Sequence, residues 1–154
     1  MNLYSEPATS QQLIGATADI ITRQDAYPAA LIRGHHADRL VLRLAEVWVQ
    51  VNVSDITTLG TKSDIPLADT RAVRVADRGT SRSYEGIAIR TVQLVWTCPA
   101  CGRPRGEPGH SMIVEDGEYY YVDAWSNTCG HIDMYRQVLV EAGWHPIQHR
   151  AVKA

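Results

Sequence analysis

Between Glu46 and Val53 apolar and polar side chains alternate one for one. Val47, Val49, Val51 and Val53 fall on one face, and Glu46, Trp48, Gln50 and Asn52 on the other. A period of two predicts a half-buried antiparallel strand. Ser54-Asp55-Ile56 reads as a one-turn break after it. Upstream, Arg39 to Leu44 is an apolar-rich strand. Thr17 to Arg23 and Ala30 to Arg33 are brief β-compatible runs with Tyr27-Pro28 as a break between them. A helix over Ser10 to Ile21 competes for the first run, because Leu13, Ile14, Ala18 and Ile21 also fit helical spacing. Gly34 to Asp38 reads as a turn.

From Gly60 to Thr70 the chain turns polar, with Lys62, Ser63, Asp64, Pro66 and Asp69, as a connecting loop does. Arg71 to Ala76 alternates again, Asp77 to Ser83 makes a polar loop tip, and Gly86 to Thr97 is a longer strand. Met112 to Glu115 and Glu118 to Trp125 flank Asp116-Gly117, a strong two-residue hairpin signal. Ile132 to Ala142 reads as a helix with Tyr135, Val138, Leu139 and Ala142 as its apolar stripe. Asp133 suits its first turn and Gly143 its end. The fold class is therefore mainly β (α+β) with one C-terminal helix. Residues 1–70 form one module of short strands, 71–143 a second unit and 144–154 a tail, and all three can share one compact domain. Four or five short strands with tight turns, ending in a one-turn break, resemble an SH3-like small β-barrel.

Composition narrows the class. With 154 residues, 45% hydrophobic and 21% charged, the chain has a real core, which excludes a disordered, collagen-like or rod-like protein. No apolar run approaches the roughly 18 to 20 residues of a membrane span. Met1 to Ser10 has neither the basic start nor the apolar stretch of a secretory signal, so a cytoplasmic location is expected. A net charge of -2 argues against wholesale polyanion binding. Only Lys62 and Lys153 are lysine among fifteen basic residues, and phenylalanine is absent, which a GC-rich coding sequence explains as well as guanidinium chemistry does. An odd number of cysteines does not make a secreted disulfide scaffold; it points to a reducing compartment and a metal.

The metal chemistry sits in Cys98-Pro99-Ala100-Cys101-Gly102. Two thiolates separated by two residues can wrap one ion. Proline stiffens the turn, and Gly102 permits the positive φ that lets backbone amides face the sulfurs. Cys129-Gly130-His131 offers the second pair, and the predicted hairpin between the pairs carries it back to the first. His110, in the Gly106 to Ser111 loop, is the rival fourth ligand. Four protein ligands make a closed, structural zinc site with no open position for water. A redox Cys-x-x-Cys would open a helix, which Gly102-Arg103-Pro104-Arg105 cannot.

The Cys-Pro-Ala-Cys-Gly turn resembles the knuckle of zinc ribbons, over residues 92 to 143. That resemblance implies a β-ribbon with one structural Zn2+ held by Cys98, Cys101, Cys129 and His131. The second arm departs from the family, since zinc ribbons usually repeat Cys-x-x-Cys where this chain has Cys-x-His. A RING finger needs eight ligands, and no cysteine follows Cys129. Zinc deaminases carry an upstream His-x-Glu and a proline before their Cys-x-x-Cys, and this chain has neither.

Charge is segregated along the second half. Residues 71–105 hold seven arginines against two acids, and residues 106–141 hold seven acids against Arg136. One reading is a basic face of Arg74, Arg78, Arg82, Arg103 and Arg105 suited to nucleic acid or an acidic protein surface. The other is that the segments are neighbouring strands whose charges pair. Alternation places Tyr119 and Tyr121 on one face and Tyr120 on the other; with Trp125 they could stack bases, although at least one face should serve as core. His35-His36 reads as a solvated turn, and Asn52-Val53-Ser54 as a chance match to a glycosylation acceptor. No catalytic triad order, phosphate loop or dinucleotide fingerprint occurs.

The expected function is a non-catalytic, zinc-stabilised binding module for nucleic acid or a protein partner. The alternative is a metal-dependent hydrolase in which His110, Glu107 or Asp133 serves an open zinc position.

Overall fold

The computed structural model describes residues 13–79 and 86–147. Among these the strands are β1 (Thr17–Thr22), β2 (Ala26–His36), β3 (Arg39–Leu44), β4 (Val47–Asn52), β5 (Ile56–Thr61), β6 (Thr70–Asp77), β7 (Ala88–Val95), β8 (Gly109–Glu115) and β9 (Glu118–Ala124). One helix, α1 (Tyr135–Glu141), follows them. The chain is mostly β, as the alternation predicts. No helix among the described residues is long and apolar enough to cross a membrane.

Strands β1 to β5 form an antiparallel sheet in the order β4-β3-β2-β1-β5. Its hydrogen-bonded order is open, yet Val51 of β4 and Leu59 of β5, at the two edges, enter one core with Ala18, Ile20, Ala30, Ile32, Leu40 and Leu42. The sheet coils until both edges share an interior, an extension of ordinary strand twist. A single 3-10 turn, Val53–Asp55, links β4 to β5 where the one-turn break was expected. The helical alternative for residues 17–21 gives way because burial alternates there: Ala18 and Ile20 are inside, Asp19 and Ile21 outside.

The expected break at Tyr27-Pro28 is a β-bulge inside one long strand. Between Ala18/Ala30 and Ile20/Tyr27 the register gains a residue on β2, Ala29 sits at φ +50, and its amide donates to the Asp19 carboxylate at 2.8 Å. A bulge is where a strand tolerates proline. The expected turn at Gly34 to Asp38 is likewise strand as far as His36, with only Ala37 and Asp38 turning. A second register shift, between Ile32 and Gly34, makes Arg33 the extra residue. Strand β5 has little apolar signal, with Leu59 alone fully buried.

Strands β6 and β7 pair over their whole length, and α1 lies against them. Val73, Val75, Val92, Leu94 and Trp96 enclose Val138, Leu139 and Ala142 in a second core. The helix begins three residues later than its periodicity suggests, because Met134 is extended and Ile132 is exposed. Asp133 is consequently not in the first turn; its charge is used elsewhere. Gly143, at φ +92, ends the helix as expected. The β8–β9 hairpin turns at Asp116 and Gly117, both at positive φ, and β9 lies against β6.

Candidate metal centre

Strand β7 delivers the first ligand pair and β9 the second. After Val95 the chain tightens into the cysteine turn. The Cys98 amide donates to the Arg103 carbonyl at 2.7 Å, the Gly102 amide to the Cys98 carbonyl at 2.8 Å, and Gly102 takes φ +80. After β9, Gly130 at φ +90 turns the chain between Cys129 and His131. The four ligand atoms of Cys98, Cys101, Cys129 and His131 lie within 4.8 Å of one another. Cys98 is buried, Cys129 intermediate, and Cys101 and His131 are exposed, so the cluster sits at the surface with one ligand rooted in the core. Tetrahedral zinc, with Zn–S near 2.3 Å, would hold its ligand atoms about 3.8 Å apart. The spacing found needs only a small contraction to reach that. Three soft sulfurs and an imidazole suit zinc better than the hard cations that prefer oxygen.

The ligand turns are braced from behind. Asn127 donates from Nδ2 to the His131 carbonyl at 3.1 Å and to Asp133 at 3.0 Å, while its side-chain oxygen accepts from the Gly106 amide at 3.0 Å. Asp133 also accepts from Trp125 Nε1 and Arg105 Nε, at 2.7 and 2.9 Å. Burial alone would raise the Asp133 carboxyl, but hydrogen bonds from Arg105, Asn127 and Trp125 outweigh it and leave the group below its ordinary value. The first knuckle is also tied to the coiled sheet, since Arg43 of β3 donates to the Pro99 carbonyl at 2.8 Å. Asn127 was not anticipated; an Asn two residues before Cys129 in a glycine turn is the signal that marks such a brace.

The rival ligand and the hydrolytic candidates lie outside this cluster. His110 is on β8, exposed, with Nδ1 3.1 Å from Arg74 and 3.5 Å from Asp123. Glu107 pairs with Arg71 at 2.9 Å. Asp133 is committed to the brace just described. One cleft, about 150 Å3, is lined by His35, His36, Gln93 and Trp144 and by none of the four clustered residues. It is smaller than the roughly 300–1,000 Å3 of ordinary small-molecule sites. His36 is no solvated turn residue but stacks on Trp144 at 3.5 Å. Burial pushes both His35 and His36 below the ordinary histidine value.

The arginines expected to form one basic face are largely spent on neighbouring acids. Arg74 pairs with Asp123 and Arg78 with Glu115. Arg105 is a clear correction: its side chain is wholly buried, 2.9 Å from Asp133 and 2.8 Å from Glu141, where no nucleic acid can reach it. Arg103 is exposed, and Arg82 lies outside the described residues. The segregation of charge along the sequence therefore reflects pairing in space: Arg71, Arg74 and Arg78, on or just after β6, meet Glu107, Asp123 and Glu115, and Arg105 beyond the cysteine turn meets Glu141. Of the tyrosines, Tyr119 and Tyr121 are exposed, while Tyr120 is half-buried.

Comparison with known proteins gives no matching family model, no matching curated protein and no matching solved structure.

Proposed function

We propose that this protein is a zinc-stabilised binding module that engages a protein partner and carries out no chemistry at its metal. The observation behind this reading is the four-donor Cys98, Cys101, Cys129 and His131 cluster, whose donor set leaves a tetrahedral ion no open position for water. Glu107, His110 and Asp133 are each engaged with another side chain, which weakens the hydrolytic alternative. The two ligand pairs joined by the β8–β9 hairpin support a zinc-ribbon reading of residues 92–143. The order β4-β3-β2-β1-β5, with a 3-10 turn before β5, supports the SH3-like reading of the first module. Two separate cores support a division near residue 70, and the ion pair of Arg33 with Glu141 supports the two modules acting as one unit.

A protein partner is favoured over nucleic acid because Arg74, Arg78 and Arg105 are paired within the chain. Two measurements test the reading. The cobalt-substituted protein should give a closed, sulfur-rich tetrahedral spectrum unaffected by added anions; sensitivity to anions would favour the hydrolase. Oligonucleotide binding should be undetectable at physiological salt; tight binding with a steep salt slope would restore the nucleic-acid reading.

A further inference from the structure

We infer that the outer face of the β8–β9 hairpin is a self-association surface through which two copies of this chain pair. The inference names the partner for the protein-binding reading above and is independent of the metal's identity. Met112 stands directly opposite Tyr121, and Val114 opposite Tyr119. Cross-strand partners share a face, so these four side chains form one continuous patch. All four are exposed: Met112 48%, Val114 57%, Tyr119 63% and Tyr121 62%. On the reverse face Ile113 and Tyr120 are half-buried and Val122 is buried, against the body of the protein. A hairpin with one covered face ordinarily turns polar residues to water on the other. This one presents two tyrosines, a methionine and a valine.

Charge and area select the occupant. Among the described residues, none of the four cross-strand partners that make the patch is charged. At one end His110 and Asp123 face each other, and Asp123 is held by Arg74 at 3.3 Å. A basic segment would find that carboxylate already paired, and a nucleic acid would find the Arg74 guanidinium already engaged. A neutral apolar face matches another neutral apolar face, and every copy of this chain carries one. A two-fold contact would set the tyrosines of one copy on Met112 and Val114 of the other, the self-complementary geometry commonest among homo-oligomers and one that sulfur–aromatic contact favours. With aromatic side chains worth about 150–250 Å2 each, the patch offers on the order of 400 Å2 per copy. Two copies with their rims would bury about 1,000 Å2, the low end of specific interfaces. The dimer is therefore weak and concentration-dependent.

The experiment is sedimentation equilibrium of the zinc-loaded 154-residue chain from about 10 μM to about 1 mM, the range in which an interface of this size should associate. The average mass should rise from 17.1 kDa toward twice that value. Tyr121→Lys places like charges across the two-fold contact and should weaken association at least about tenfold, with melting temperature and metal content unchanged. Val114→Lys makes the same test should Tyr121→Lys lower the melting temperature. A wild-type mass that stays at one chain throughout overturns the inference, leaving a different protein partner for the module. Dimerisation undiminished in both variants overturns it by placing the contact elsewhere. A monomer that binds a short single-stranded oligonucleotide, and loses it in Tyr121→Lys, overturns both this inference and the protein-binding reading.

Discussion

Arg33 on β2 and Glu141 on α1 are 108 residues apart and meet as a buried ion pair, Nη2 to Oε2 at 2.8 Å. The same carboxylate accepts from Arg105 at 2.8 Å, so one acid binds a guanidinium from each half of the chain. Arg33 spends its other donors on the hydroxyl and carbonyl of Thr97, the residue before Cys98, at 3.0 and 2.9 Å. A bulge re-aims a side chain, and the register shift at Arg33 turns it toward this network. Coiled sheet, helix and cysteine turn thus converge on one carboxylate.

Glu141→Ala should leave both guanidinium groups buried without their common acid. Breaking such a pair from one side costs about 3–5 kcal/mol, a large fraction of a small domain's stability. Urea unfolding of the zinc-loaded protein measures it. A loss under about 1 kcal/mol, as for a solvated surface pair, would contradict the assignment.

Gly34 permits the close approach that this pair requires. A Cβ built there would lie 2.0 Å from the Glu141 carbonyl oxygen and under 3 Å from Ala142 backbone atoms. Because those contacts are backbone, no rotamer change relieves them. Gly34→Ala should therefore push α1 away from β2 and destabilise by at least about 1–3 kcal/mol. Gly60→Ala, whose added Cβ meets nothing within 4 Å, is the control and should be nearly neutral in the same thermal melts.

The strands with clean alternation and the Asp116-Gly117 hairpin were legible in the sequence because period and turn chemistry are local. The clustering of Cys98, Cys101, Cys129 and His131 was legible because two short-range pairs needed only one hairpin to join them. The bulges in β2 were not: Pro28 and Gly34 read as breaks until β1 and β3 are present to pair across them. The fate of the arginines was also hidden. Whether Arg105 faces water or Glu141 depends on a contact 36 residues away, and charge counting carries no such information. Asp133 was misplaced for a related reason, since Arg105, Trp125 and Asn127 hold its carboxylate outside the helix that periodicity had extended over it.

Acid should weaken the protein through Asp77. Burial alone would raise its carboxyl, but hydrogen bonds from His145, the Gly79 amide and Arg90 outweigh burial and leave it below its ordinary 3.8. A depressed folded value contributes stability that is fully present above the unfolded value and is lost as pH falls through the folded one. Asp77→Asn should therefore cost about 1–3 kcal/mol at pH 7. Its deficit relative to wild type should shrink as pH falls below about 4. Urea midpoints of both proteins at pH 7, 5 and 3 give the comparison, and metal loss in acid, common to both, cancels from the difference. A deficit that stays constant to pH 3 would show that Asp77 acts by shape and not by charge.

Metal removal should separate the two halves of the chain. The second core draws on β6, β7 and α1, and nothing covalent closes the turns that flank it, because all three cysteines are free thiols. In small metal-bound units the binding free energy is folding free energy. Cys129→Ser should accordingly lose its zinc and the tertiary signal of Trp96 and Trp125, which pack 5.1 Å apart between β7 and the second ligand turn. The coiled sheet has its own core, but Arg33 and Arg43 reach from it to Thr97 and Pro99. It should therefore stay folded while melting at a lower temperature. His110→Ala, outside the four-residue cluster, should keep one zinc per chain and melt like wild type. Metal analysis with near-ultraviolet circular dichroism on the three proteins decides the matter. A Cys129→Ser protein that keeps its aromatic signal without metal would make the ion dispensable to the fold, and zinc lost from His110→Ala would return that histidine to the ligand set.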